Sequence, residues 1–331
     1  MLSLYGWIWL IPIIERIVPL KGQKFIRPGI LNDLIHTYHR VHLWTMINAA
    51  LVSWLVTYSA THGGEGPYLR GALISAHWSI NCFAVLMFGH VTFYFAHLAC
   101  HKIPLLWQFH RVHHSSVNLD SFSTSRFHII DKTLFAAPYL MLVTYFQPDP
   151  GIVFLFVSFN DFWGRYGHGN IRDPHWLGYI MSNPKFHRWH HSNHPDAIDK
   201  NFSAEFNFLD WIFGTAYYPK EGIPENFGSE KYSNNIIVQH FQPFLDCHKI
   251  VKKDGWLALL RKPKRDTVNQ QPVTENWSQS WKKLPAQHDP KHGENSENWV
   301  NLSKKETSDS VVFLEIPLVF LGFHYRKTTW P

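Results

Sequence analysis

Residues 97–114 read HLACHKIPLLWQFHRVHH and hold five histidines. His97 and His101 are four apart, so on a helix they lie on one face, one turn apart, within reach of a shared ion. His110, His113 and His114 stand at i, i+3 and i+4, again one face. The figure recurs in FHRWHH, with His187, His190 and His191, and His168 lies between the clusters in RYGHGN. A lone histidine, or a lone HxxxH, is ordinarily a core or surface residue. Here nine imidazoles fall in three clusters and a single. Burying that many near lipid is costly unless something pairs with them. A metal does so, since neutral imidazole is among the commonest metal ligands.

The pattern narrows the metal. The three cysteines, Cys82, Cys100 and Cys247, form no zinc-finger spacing and no disulfide framework. There is no HExxH, so a zinc protease is excluded. The Glu and Glu-x-x-His pattern of carboxylate-bridged di-iron bundles is missing too. Haem would use one or two axial histidines and leave seven unexplained. Nine nitrogens suit two ions, each with about four or five ligands and open positions left over. An all-nitrogen pair with open sites suits two iron ions and O₂ chemistry, with zinc a possible substitute as purified.

These histidines must be positioned by apolar elements. Residues 41–61 and 71–96 carry no formal charge apart from histidine, and each is long enough to cross ~30 Å of hydrocarbon as a helix. A third apolar region, 134–163, is broken by QPDPG at 147–151 and reads as a hairpin of two spans or as a re-entrant hairpin. Either returns the chain to the side it left. Basic residues crowd the same side: Arg16, Lys21, Lys24, Arg27 and Arg40, then Lys102, Arg111, Arg126 and Lys132, then Arg165, Arg172, Lys185 and Arg188. The positive-inside rule places the termini and the histidines in the cytoplasm, at a bacterial inner membrane or an endoplasmic reticulum. The expected fold is an all-α integral membrane protein of about four transmembrane helices, with a cytoplasmic-facing helical cap. Residues 1–40 read as an N-terminal interfacial segment, 41–218 as the membrane and catalytic domain, and 219–331 as a polar cytoplasmic extension. Its apolar end, VVFLEIPLVFLGF, reads as interfacial. The net charge of +6 shows no basic stripe, so no nucleic acid is expected.

FYFAHLACHKIPLLWQFHRVHHSS together with NPKFHRWHHSNHPDAIDKNFSAEFNFLDWIFGT resembles the membrane fatty acid hydroxylase / sterol desaturase superfamily, over about residues 85–218. The resemblance implies a four-helix anchor, a di-metal site and O₂-dependent hydroxylation or desaturation of a lipid. It carries the ligand role to His97, His101, His110, His113, His114, His168, His187, His190 and His191. Three departures stand out. His90 occupies a position where many members have an acid. Arg172 stands where some fatty acid hydroxylases have a further histidine. The cytochrome b5 motif of some relatives is missing, so electrons are expected from a separate protein of cytochrome b5 or ferredoxin type.

Unactivated C–H bonds are not attacked by side chains, which is why a metal is needed. Hydrogen abstraction followed by oxygen rebound gives an alcohol, and a second abstraction gives an alkene. The two share their first step, and hydroxylation of a fatty acyl chain or sterol is favoured over desaturation. A non-catalytic metal or haem carrier is the reading from another class, but a carrier would spread its ligands near the midplane of the spans. His90 reads either as a residue orienting a ligand or as a polar residue inside the bundle, and His128 as structural or substrate-side. Asp161, Asp199 and Asp210 are candidates to accept the free N–H of ligand histidines, with turn and cap roles the alternative. Trp78 and Tyr58 read as interface anchors.

Overall fold

A computed structural model describes residues 2–62, 71–224, 226–228 and 233–261. They lie in one unit, Met1–Lys264. The loop at 63–70, the polar stretch 273–299 and VVFLEIPLVFLGF lie outside the described residues.

The described residues are helical, with isolated bridges and no strand: α1 (Leu2–Ile17), α2 (Ile30–His39), α3 (Thr45–His62), α4 (Trp78–Lys102), α5 (Pro104–His110), α6 (Ile129–Met141), α7 (Pro150–His168), α8 (Pro184–His190), α9 (Phe208–Ile212) and α10 (Ile236–Asp254). Two elements are long and apolar enough to cross a membrane: α4, and α6 with its wider-wound continuation to Phe146. The expected helix at 41–61 forms as α3, and the region after QPDPG as α7, but neither meets that test.

The boundaries follow from local chemistry. His77 caps α4, its Nδ1 accepting the Ser79 N–H. Twenty-five residues at 1.5 Å each make α4 about 37 Å long. It ends at Ile103, held extended by the following Pro104, which itself opens α5 at a position needing no N–H donor. Gln147 turns the chain in the left-handed region, and Asp149 caps α7 by accepting from the Gly151 and Ile152 N–H groups. Asn183 caps α8 in the same way, through Phe186 N–H.

α4 packs against α5, α6 and α7, and α1 lies on α7. Away from the histidines, Leu73, Val85, Leu142 and Phe156 form an apolar core. Gly89 permits the closest approach there: a Cβ would stand 2.6 Å from the Tyr139 hydroxyl and 2.7 Å from Phe156. At the histidine end the scaffold is polar and buried. Arg27 pairs with both Asp33 and Asp120, and Arg126 Nε meets Asp33 at 2.6 Å. Glu15 of α1 accepts from the N–H groups of Ser121 (2.9 Å) and Asn170 (2.8 Å). Burial raises its carboxyl above the usual range. Gln239 of α10 accepts from His36 and Asn32 and donates to Ser115, beside His114.

Candidate metal centre

All nine histidines are buried, and they converge on two groups. His97, His101, His110, His114 and His190 offer ligand atoms within 4.8 Å of one another, as do His113, His168, His187 and His191. Each HxxHH motif therefore divides. Its i and i+4 histidines stay together (110 with 114, 187 with 191), while the i+3 histidine joins the other group. Successive helix residues point about 100° apart, so i+3 and i+4 flank position i on opposite sides. The chain also leaves the α-helix at His110, and His113 and His114 sit in a 3₁₀ turn.

Hydrogen bonds fix how the rings face. Nδ1 of His97 donates to the Phe202 carbonyl (2.7 Å), that of His113 to Arg126 (3.1 Å), that of His168 to Gly164 (2.7 Å) and that of His190 to Lys200 (2.8 Å). A carbonyl can only accept, so Nδ1 carries the proton and Nε2 the lone pair. His110 Nδ1 faces Asp131 at 3.1 Å and His101 Nδ1 faces Asp199 at 3.4 Å. The inward Nε2 atoms of His101, His110, His114 and His190 are buried without a hydrogen-bond partner. In the other group Nε2 meets Nε2: His168 with His113 at 3.1 Å, His187 with His168 at 3.2 Å, His191 with His187 at 3.1 Å. For His113 and His168 both nitrogens carry lone pairs, so this is repulsion unless a cation lies between them.

The donor set fits metal ions. Two nitrogens each about 2.1 Å from one ion stand about 3.0 Å apart at a right angle and about 3.4 Å apart at the tetrahedral angle. The observed separations fall in that interval. Burial holds His190 neutral, its pKa lowered to about 3, and holds His113, His114, His187 and His191 well below the ordinary imidazole value. Neutral imidazole is the form that binds metal.

Of the three aspartates named from sequence, only Asp199 meets one of the nine histidines. Asp161 pairs instead with Arg40 (2.6 Å) and Arg165 (3.1 Å). Asp210 accepts the Phe202 and Ser203 N–H groups, a turn role. Asp131 was missed. It stands in the first turn of α6 with no sequence signal, and it also accepts from Cys100. His90 touches none of the nine: its Nδ1 faces Glu205 at 3.1 Å, and Glu205 also takes the Asn160 amide. His128 caps α6 through Ile130 N–H and is structural. Arg172 is exposed and outside the centre.

A cavity of about 70 Å³ abuts the centre, bounded by His97, His110, His113, His168 and His187 and walled by Phe93, Phe127, Phe135 and Trp163. It has room for a short reacting segment, not a whole lipid.

Residues 82–215 match the fatty acid hydroxylase family. Ornithine lipid hydroxylase OlsE of Rhizobium tropici is 29% identical over 243 residues, covering 71% of this chain and 72% of its own. Alkylglycerol monooxygenase of Caenorhabditis elegans is 29% identical over 158 residues, 46% of this chain and 31% of its own. The Xenopus tropicalis enzyme is 28% identical over 155 residues, 46% and 32%. This chain thus spans only about a third of the alkylglycerol monooxygenases. No solved structure matches it. These relatives are lipid hydroxylases and monooxygenases by name, and the histidine-bearing region of this chain is similar to the fatty acid hydroxylase family.

Proposed function

We propose that the protein is an O₂-dependent oxidoreductase that hydroxylates a C–H bond of a membrane lipid, with two iron ions held by the nine histidines. The observation that carries this reading is the division of nine buried imidazoles into groups of five and four beside a cavity with aromatic walls. His97, His101, His110, His114 and His190 would hold one ion, and His113, His168, His187 and His191 the other. Bound iron would supply the O₂ activation that no side chain provides.

The chain's own contribution is positioning. Carbonyls of Phe202, Arg126, Gly164 and Lys200, with Asp131 and Asp199, keep Nδ1 protonated and Nε2 inward, so that the ligands need no reorganisation. Phe93, Phe127, Phe135 and Trp163 bind a hydrocarbon segment against the histidines and exclude water. We infer that lipid enters this cavity from the bilayer, because Phe93 and Phe135 of the candidate spans α4 and α6 line it. We place the site on the cytoplasmic side of a multi-pass protein, on the basic-residue asymmetry, with electrons delivered by a separate protein. Hydroxylation is favoured over desaturation because the relatives named above are hydroxylases and monooxygenases.

The test is metal per chain after purification in detergent, for the parent and His113→Ala, with lipid products followed by mass spectrometry. About two irons per chain are expected, falling sharply in the variant together with an oxygenated product. Full activity in His113→Ala, or no stoichiometric metal in folded parent protein, refutes the reading.

A further inference from the structure

The wall of the cavity carries two cations that the chemistry above does not use. Arg40, where α2 passes into α3, and Lys132, in the first turn of α6, both line the histidine cavity. Together with Phe127 they also line a second cavity, which opens beside His36, His39 and His240. The two cavities thus meet at Arg40, Phe127 and Lys132. The Lys132 ammonium lies 4.8 Å over the Phe127 ring, and no hydrogen bond or ion pair to it occurs among the described residues. The carboxylate next to it in sequence, Asp131, is turned to His110. Arg40 has Asp161, but Asp161 is shared with Arg165, whose Nη1 is buried without a partner. Arg40 and Arg165 therefore share one carboxylate, and Lys132 stands at the neck with no carboxylate within ion-pair distance among the described residues.

We propose that the lipid substrate bears an anionic oxygen group, carboxylate or phosphate, which Arg40 and Lys132 bind at this neck while its chain lies against the histidines. The proposal rests on the lipid-hydroxylase reading and narrows its substrate class. Lys132 stands in the first turn of an apolar helix long enough to span, and Phe93, Phe135 and Trp163 line the histidine cavity but not the second one. A partly buried cation is costly unless paired, and an anionic group in the neck pairs with it. A lipid with a neutral head leaves Lys132 unmatched and Arg40 with only its shared carboxylate, so the neck selects by charge.

The test uses the full chain in neutral detergent, stripped of metal, and measures binding of oleate and oleyl alcohol, which share a chain and differ in charge. The parent is expected to bind oleate at least about tenfold tighter, and Lys132→Met to lose about that factor for oleate alone. Arg40→Gln should do the same and Arg40→Lys should restore part of it. If Arg40→Gln does not fold, Lys132→Met still decides. Equal affinity for the two ligands in the parent overturns the proposal, as does equal loss of both in Lys132→Met. Lys132-dependent binding of inorganic phosphate without any preference for oleate assigns the neck to a free anion and also overturns it. Because binding is read without metal, failure of the hydroxylase reading would show separately, as a charge preference in a protein that takes up no iron.

Discussion

Asp131→Asn tests the orientation of the ligands most directly. Asp131 accepts from His110 Nδ1 at 3.1 and 3.3 Å and is buried, so its carboxylate fixes which nitrogen of His110 is protonated. Asparagine has nearly the same shape, so the packing survives. Its amide can instead donate to Nδ1, which moves the imidazole proton to Nε2 and points an N–H into the five-histidine group. Changes of this kind cost roughly 10–100-fold in metal affinity, or about 1.4–2.7 kcal/mol. The loss should be confined to one ion. His113 and His168, in the other group, lean on the carbonyls of Arg126 and Gly164, which the substitution does not touch. Iron per chain would be measured by elemental analysis after dialysis against graded chelator, with circular dichroism as the check on folding. One iron should leave at roughly 10–100-fold lower chelator concentration than in the parent, and the second should titrate as before. If both ions leave together, or neither moves by more than about threefold, the assignment of Asp131 to one metal group is wrong.

Asp33→Asn removes the carboxylate shared by Arg27 and Arg126, and should lower stability by about 3–5 kcal/mol, read from thermal unfolding in detergent. It should also loosen His113, whose acceptor is the Arg126 carbonyl, and an unchanged melting temperature would count against the network. Gly89→Ala forces a methyl into Tyr139 and Phe156 and should cost about 1–3 kcal/mol in the same assay, whereas the nearby exposed Phe83→Ala should cost little. For pH, His36 is buried, and burial lowers its pKa from 6.5 to about 3. Between those values the unfolded chain binds the extra proton, so stability falls as pH drops, by about 1.4 kcal/mol per pH unit. His36→Gln should make the acid limb of the stability profile shallower by that slope, and an unaltered limb would refute the burial argument.

The nine histidines, the helical elements and the break at QPDPG were legible in the sequence, because ligand chemistry, apolar length and turn preference belong to residue type and local spacing. The division of the histidines was not. Whether His113 joins His110 or His168 depends on where α5 stops and on how α7 and α8 fold back, and those contacts join residues 55 or more positions apart, as in the His113–His168 approach. The acceptors that orient the rings were hidden for a simpler reason. Four of them are backbone carbonyls, which every residue owns, so neither Phe202 nor Gly164 carries a mark of its role. Asp131 carries no mark in the sequence, and of the candidates Asp161, Asp199 and Asp210 the sequence could not tell that only Asp199 meets a histidine while Asp210 takes the alternative turn role, because an aspartate's partner is set by what the fold brings within about 3 Å. Residue types and their spacing determined that this chain presents nitrogen-rich histidine clusters that could hold metal. Only the tertiary structure decided that there are two groups, which histidine enters each, and that Arg40 and Lys132 stand at the neck, because direction and long-range distance are properties of the packed chain.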